Sequence, residues 1–184
     1  MARTIKFSKE DILEKSVEFI KEKGYSSLTV RELAKYIGCS TQPIFKNYEN
    51  FDMYKDDLKF YLRKDYSSFI RKYIDIKDYL YTISYAYAFY AKKEPNVFFS
   101  LFMADLAGSR TVSEVLNTDR NIETINAMVK QYKLSLEDAK KVYREVRFYT
   151  HGIAAQLCIK SIKLTDKEIK ELIRNNIEMN LRRN

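Results

Sequence analysis

Little in this sequence can break a helix. Only four glycines and two prolines occur in 184 residues, so few positions offer a left-handed turn or a missing backbone donor. That scarcity argues against a β-rich chain of tight turns and for long helices joined by short loops. Histidine occurs once, at His151, and the two cysteines, Cys39 and Cys158, lie far apart. Neither a metal-ligand spacing nor a disulfide framework can be built from them. No metal and no cofactor is expected, and both cysteines read as small hydrophobes in a reducing cytosol. There is no glycine-rich phosphate loop and no constellation of nucleophile, acid and base, which sets an enzyme aside. No apolar run is long enough to cross a bilayer, and the N-terminus is polar rather than signal-like. A cytoplasmic protein with no membrane partner is the expectation.

What is present is ordinary for a globular chain: 46% hydrophobic and 32% charged residues. A net charge of +8 allows a polyanionic partner without locating it. Residues 1–50 hold nine Lys/Arg against seven Asp/Glu, and residues 160–184 hold seven against four. The basic surplus is therefore no greater at the N-terminus than at the C-terminus.

Helical periodicity organises the chain. Ser8 with Asp11 reads as the start of a first helix over 8–23, with Ile12, Leu13, Ser16, Val17, Phe19 and Ile20 inward and Gly24 as its stop. Thr29 to Glu32 reads as a capping box opening a short helix over 30–37, closed by Gly38. Ser40 reads as the cap of a third helix over 40–46, with Pro43 in its first turn. Three such helices, the last two joined by a tight glycine turn, form a helix-turn-helix unit. Beyond Asn50 the pattern predicts longer aromatic-rich helices over 51–72, 76–93, 96–107, 113–132, 136–163 and 166–182. Pro95 and Gly108-Ser109 mark breaks, and Thr165 to Glu168 is a second capping box. The expected fold is all-α, with about nine helices. Residues 1–50 form a helix-turn-helix domain, and 51–184 form an antiparallel helical bundle for ligand binding and dimerisation.

The run from Leu28 to Tyr54 resembles the DNA-binding segment of the tetracycline-repressor family of transcriptional regulators. The resemblance rests on Thr29, Leu33-Ala34, Gly38-Cys39-Ser40 and Phe45-Lys46-Asn47-Tyr48, with Ile12-Leu13, Phe19 and Gly24-Tyr25 before them. It covers about residues 8–54. Beyond them it extends only to the helix count and to His151-Gly152-Ile153-Ala154 in a penultimate helix. What it implies is a dimeric repressor released from operator DNA by a small-molecule effector. Three positions depart from the family pattern. Phe45 stands where the family has a phosphate-contacting tyrosine, Phe51 where it has a lysine, and Tyr48 where it has a phenylalanine. Lys55, one turn beyond Phe51, can replace the missing lysine.

A recognition helix presents short polar and basic side chains to base edges. Thr41, Gln42, Lys46 and Asn47 are suited to it. Gln42 matches adenine, Lys46 matches guanine or phosphate, and Thr41 matches a thymine methyl. Thr29 and Arg31, at a helix N-terminus, suit phosphate. Val30, Ser40, Tyr48 and Lys55 complete the expected DNA-facing set, and Arg3 and Lys6 could form an arm on the duplex.

Fifteen tyrosines and eleven phenylalanines enrich the remainder. Aromatics at helical spacing are commonly core, but tyrosine tips among phenylalanines also suit a small-molecule cavity. Tyr61, Tyr87, Phe98 and Phe102 are the aromatic candidates for such a cavity. Met103, Met128, Phe148 and His151 complete the set, and the expected effector is small and hydrophobic or aromatic. The last two helices carry small residues, Gly152, Ala154 and Ala155, and an apolar stripe of Leu157, Ile162, Ile169, Leu172, Ile173 and Ile177. They read as a homodimer interface. Packing of that stripe on its own chain is the competing reading. A helical adaptor whose helix-turn-helix no longer binds DNA is the alternative function.

Overall fold

In a computed structural model, the residues described are 7–103 and 110–183. All regular structure among them is helical: α1 (Lys9–Lys23), α2 (Val30–Ile37), α3 (Gln42–Asn47), α4 (Phe51–Arg71), α5 (Tyr79–Lys93), α6 (Pro95–Phe102), α7 (Val112–Leu116), α8 (Asp119–Tyr132), α9 (Leu136–Cys158) and α10 (Asp166–Leu181). Two 3₁₀ turns, Tyr25–Ser27 and Ile76–Asp78, link neighbours. The all-α architecture is as the periodicity requires. No helix among the described residues is long and apolar enough to cross a membrane.

Several helix starts follow from one device. At Ser8, Thr111 and Thr165 the hydroxyl accepts from the backbone N–H three residues on, while the acid there accepts from the cap's own N–H. At Thr29 only the first half forms: its hydroxyl accepts from the Glu32 N–H. Asn50 opens α4 by accepting from the Met53 N–H at 2.9 Å.

The third helix begins later than expected. Ser40 is not its cap; α3 starts at Gln42, preceded by Thr41 in helical conformation with no side-chain cap bond. Pro43 falls in its first turn, where no backbone donor is required. Two further boundaries moved. The predicted helix over 113–132 is two, α7 and α8, because the backbone leaves the helix at Asn117 and Thr118, where the Asn121 side-chain amide takes up the Val115 carbonyl. The predicted helix over 136–163 ends at Cys158. Lys160 adopts a left-handed φ of 58°, and the Ser161 N–H returns to the Gln156 carbonyl. The Gly108-Ser109 break, the end of the helix predicted over 96–107, and the arm residues Arg3 and Lys6 lie outside the described residues.

The chain divides into two compact units, one holding residues 1–67 and 96–107, the other 68–95 and 108–184. The boundary predicted after Asn50 thus falls inside the first unit. Its core takes Ile12, Phe19 and Ile20 from α1, Leu33 from α2, Ile44 from α3, Leu58 and Leu62 from α4, and Val97 and Phe98 from α6, all buried. Tyr54 is 1% exposed, and its hydroxyl donates to Ser16 Oγ at 2.8 Å, which in turn donates to the Ile12 carbonyl at 2.6 Å. Burial pushes that phenol up to about 12. In the second unit α5 is the central helix, buried from Ala86 through Ala91 and packed by α8, α9 and α10.

Gly38, in α2's left-handed cap with φ 79°, has open space where a side chain would begin. Gly38→Ala should therefore cost only the backbone term, about 1–2 kcal/mol, read as a lower urea midpoint. An unchanged midpoint would mean that α2 does not need this conformation.

Candidate nucleic-acid interface

Up to Asn47 the described chain builds a three-helix head on a few contacts. α1 and α2 are joined by Tyr36, whose ring meets Phe19 edge-on at 5.3 Å and whose hydroxyl donates to Glu22 at 2.9 Å. At the end of α2 the Gly38 and Cys39 N–H groups return to the Lys35 and Ala34 carbonyls at 3.3 and 2.9 Å, a Schellman closure. The chain then enters α3, whose buried residue is Ile44, at 3% exposure.

Around that anchor the predicted DNA-facing residues separate into two sets. Thr29, Arg31, Ser40, Gln42 and Lys46 are exposed, and Val30 and Thr41 are half-buried. Arg31, Lys35 and Lys46 make no ion pair among the described residues, and α3 contains no acid. Asn47 and Tyr48 are turned inward instead. The Asn47 amide donates to the Pro43 carbonyl at 2.7 Å and reaches the Phe7 carbonyl at 3.4 Å, so it closes its own helix. Tyr48 is 4% exposed, edge-on to Tyr54 at 5.2 Å, with the Lys9 ammonium 4.9 Å above its ring. Burial first, and then the nearby Asp57 charge, lift the Tyr48 phenol far above its ordinary range. Lys55 is tied to Asp52 at 2.9 Å and lies over the Phe51 ring at 5.1 Å. A pair this exposed is weak and leaves the ammonium exchangeable.

One residue that sequence reasoning treated only as a departure from the family pattern proves prominent. Phe45 is 65% exposed, beside Gln42 and Lys46 on α3. Hydrophobic type alone predicts burial, and only the placement of Ile44 on the core side reverses it.

The eight predicted cavity residues fall in both units. Phe98 is buried, with its ring tilted against Phe102 at 5.0 Å, and Phe102 meets Tyr66 edge-on at 5.0 Å; Tyr61 and Met103 are half-buried. In the second unit the Tyr87 hydroxyl shares a 2.8 Å hydrogen bond with His151 Nδ1, and Met128 is fully buried. Phe148 does not line an interior. It is 51% exposed, because Val142, Val146, Thr150 and Ile153 hold the buried face of α9 and Phe148 lies on the other side. The Thr150 hydroxyl is buried with no hydrogen-bond partner among the described residues. A groove of about 800 Å³ in the second unit was not foreseen; Ile76, Tyr79, Ile122, Glu123, Ala127 and Lys130 line it, and none of the eight takes part.

The predicted dimer stripe also divides. Leu157, Ile169, Ile173 and Ile177 are buried within their own unit, as the competing reading required. Gly152 and Ile162 are exposed, and Ala155 and Leu172 are half-buried. On the C-terminal half of α9 the large apolar side chains facing water are Phe148 and Tyr149, at 51% and 38%, with Ile159 just past its end at 57%; Leu136 is also exposed, at the helix start. Met179 does the same on α10, at 54%. Alternation on the helix surface supplied this signal: positions 148, 149, 152, 156 and 159 share one face.

No family model matches the chain, and no curated protein matches it in sequence.

Burial, and secondarily the Arg147 charge, hold His151 below its ordinary value near 6.5. The unfolded chain therefore binds this proton more readily. The stability it contributes is complete above about pH 6.5 and is lost as pH falls below it. The capping acids Asp11, Glu114, Asp138 and Glu168 are held below their ordinary values and titrate lower. Urea midpoints compared between about pH 7.5 and about pH 5.5 should drop for the wild-type chain and drop less for His151→Gln. Equal slopes would remove His151 from the pH dependence.

Proposed function

We propose that this protein is a dimeric, sequence-specific DNA-binding transcription regulator, most simply a repressor that a small-molecule effector releases from its operator. The observation that carries the reading is the exposed face of α3. Its helix is seated by Ile44, follows the Gly38 closure, is free of acids, and bears Gln42 and Lys46, with Arg31, which makes no ion pair among the described residues, close by in sequence. Those are the groups that meet base edges and phosphates in a major groove. The resemblance of residues 8–54 to the tetracycline-repressor pattern supports the same reading. Thr29, whose hydroxyl still has a proton to donate beyond the bond it accepts, suits a phosphate.

A single head reads one half-site, so a two-fold partner is part of the reading. Phe148, Tyr149, Gly152 and Ile159 supply a face for it: apolar, with a glycine that lets a second helix approach. For the effector, support comes from the second unit. The Thr150 hydroxyl is buried with no hydrogen-bond partner among the described residues, as is the Tyr48 hydroxyl in the head, and it lies next in sequence to the Tyr87–His151 pair, which a polar group of an effector could join.

A labelled fragment from upstream of the gene, titrated with the protein against competitor DNA at several salt concentrations, tests the reading. Selective binding is expected. Gln42→Ala should cost about 1–3 kcal/mol on the preferred sequence. Lys46→Ala should also flatten the salt dependence, by about one unit of slope for each phosphate that the side chain no longer reaches. Equal affinity for competitor and target would reject specific regulation.

The dimer has its own test. Phe148→Glu places a charge on the exposed apolar face without touching the α9 core. Sedimentation should shift from dimer toward monomer, with far-UV circular dichroism unchanged. A dimer that survives this change and Ile159→Glu together uses another face.

A further inference from the structure

Phe45 is where α3 departs from a purely polar reading face. Its ring is 65% exposed, whereas Ile44, one residue earlier, is 3% exposed. Phe51, also exposed, is covered in part by Tyr54 and the Lys55 ammonium. Phe45 has no such ring or cation partner among the described residues. Gln42, Phe45 and Lys46 stand at i, i+3 and i+4, so the three side chains share one face of the helix. A hydrophobic ring set between an amide and an unpaired ammonium matches a surface that is apolar at one spot and polar or anionic around it.

The major groove of a duplex offers such a spot. Among base edges the thymine 5-methyl group is the apolar contact available there, flanked by acceptors and donors and bounded by phosphates. A phenyl ring has no hydrogen to donate, so a phosphate contact is closed to it. Resting on the reading of α3 as a DNA reader, we propose that Phe45 reads a thymine methyl. The preferred half-site then holds a thymine next to the bases reached by Gln42 and Lys46. Cytosine lacks that methyl and is discriminated against at the same position.

The test uses the full chain and the duplex that it prefers, selected from the upstream fragment or from a random duplex pool. Each thymine is replaced singly by deoxyuridine, which removes the methyl and leaves the pairing edge intact. Burying one methyl is worth about fourfold in affinity. Wild-type protein should therefore lose about fourfold at one thymine of a half-site, and about sixteenfold when both symmetric positions are changed. Phe45→Ala should bind more weakly and be indifferent to the same replacement, and Phe45→Leu should keep part of the penalty. The exposure of Phe45 makes both variants tolerable to the fold, which circular dichroism verifies.

Wild-type indifference to deoxyuridine at every position overturns the proposal while leaving selective DNA binding standing. So does a Phe45→Ala protein that keeps the full penalty. A change in sedimenting mass on Phe45→Ala overturns it too, by placing the ring at a contact between copies of the chain. Absence of any preferred duplex overturns both this proposal and the reading on which it rests.

Discussion

The exposed face of α3 depends on a single reversal of the chain at Gly38. With φ at 79°, α2 cannot continue past Ile37, and two N–H groups fold back onto Lys35 and Ala34 instead of extending the helix. That closure satisfies two carbonyls that would otherwise end unpaired, and it starts the chain in a new direction within three residues. α3 is too short to be stable alone. It persists because Ile44 is seated in the core and because Asn47 closes its end onto Pro43 and Phe7. A helix held from one side in this way leaves Gln42, Phe45 and Lys46 facing solvent. On α3 these exposed side chains are therefore distinct from Ile44 and Asn47, which hold the helix in place.

The second unit is built the opposite way. α5 is buried over most of its length, and α8, α9 and α10 each spend one face on it or on one another. Because α9 uses Val142, Val146, Thr150 and Ile153 inward, its other face is left with Phe148, Tyr149, Gly152 and Ile159. The same helix can then close a core and offer an apolar surface, which a helix with one stripe cannot do. The Thr150 hydroxyl lies on the buried face of α9, and the Tyr87–His151 bond is half-buried beside it. In a low-dielectric interior a bond of that kind fixes the ring orientations, and an unmet hydroxyl is costly.

Some helix starts were legible because a cap is a local code: Ser8 and Thr165 each have an acid three residues on and close the reciprocal box. Ser40 misled, since α3 starts later without a side-chain cap, and the Thr111 box that opens α7 went unread. Glycine marked the end of α2 at Gly38, and the predicted ends at 93 and 132 are those of α5 and α8. The end of α9 at Cys158 was not legible: the chain turns at Lys160, a lysine with positive φ that no composition rule marks. With no glycine or proline there to mark the turn, the predicted helix over 136–163 ran on past its true end. Site residues followed the same division. Gln42, Lys46 and Arg31 could be placed on the surface because their chemistry forbids burial without a partner. Tyr48 and Asn47 could not, since each has both a polar and a packing use, and the neighbours that choose between them, Tyr54 and Phe7, come from outside the motif. Phe148 and Ile173 are both large and apolar; only the angle around the helix separates the exposed one from the buried one.

The charges around Phe45 bear on whether α3 serves a duplex or a protein partner. A protein interface buries its central apolar residues among others of the same kind and is depleted of lysine there, because an ammonium taken from water needs a partner. Among the described residues Lys46, adjacent to Phe45, makes no ion pair, nor do Arg31 and Lys35 on α2, and α3 contributes no acid to neutralise them. A helical adaptor docking through this face would have to supply carboxylates around one aromatic ring. A duplex supplies phosphates at both margins of its groove without any tailoring, and the gain from displaced counterions grows with each cation brought near. The balance of charge therefore favours the duplex, and it does so most strongly at low salt, where the two kinds of partner differ most.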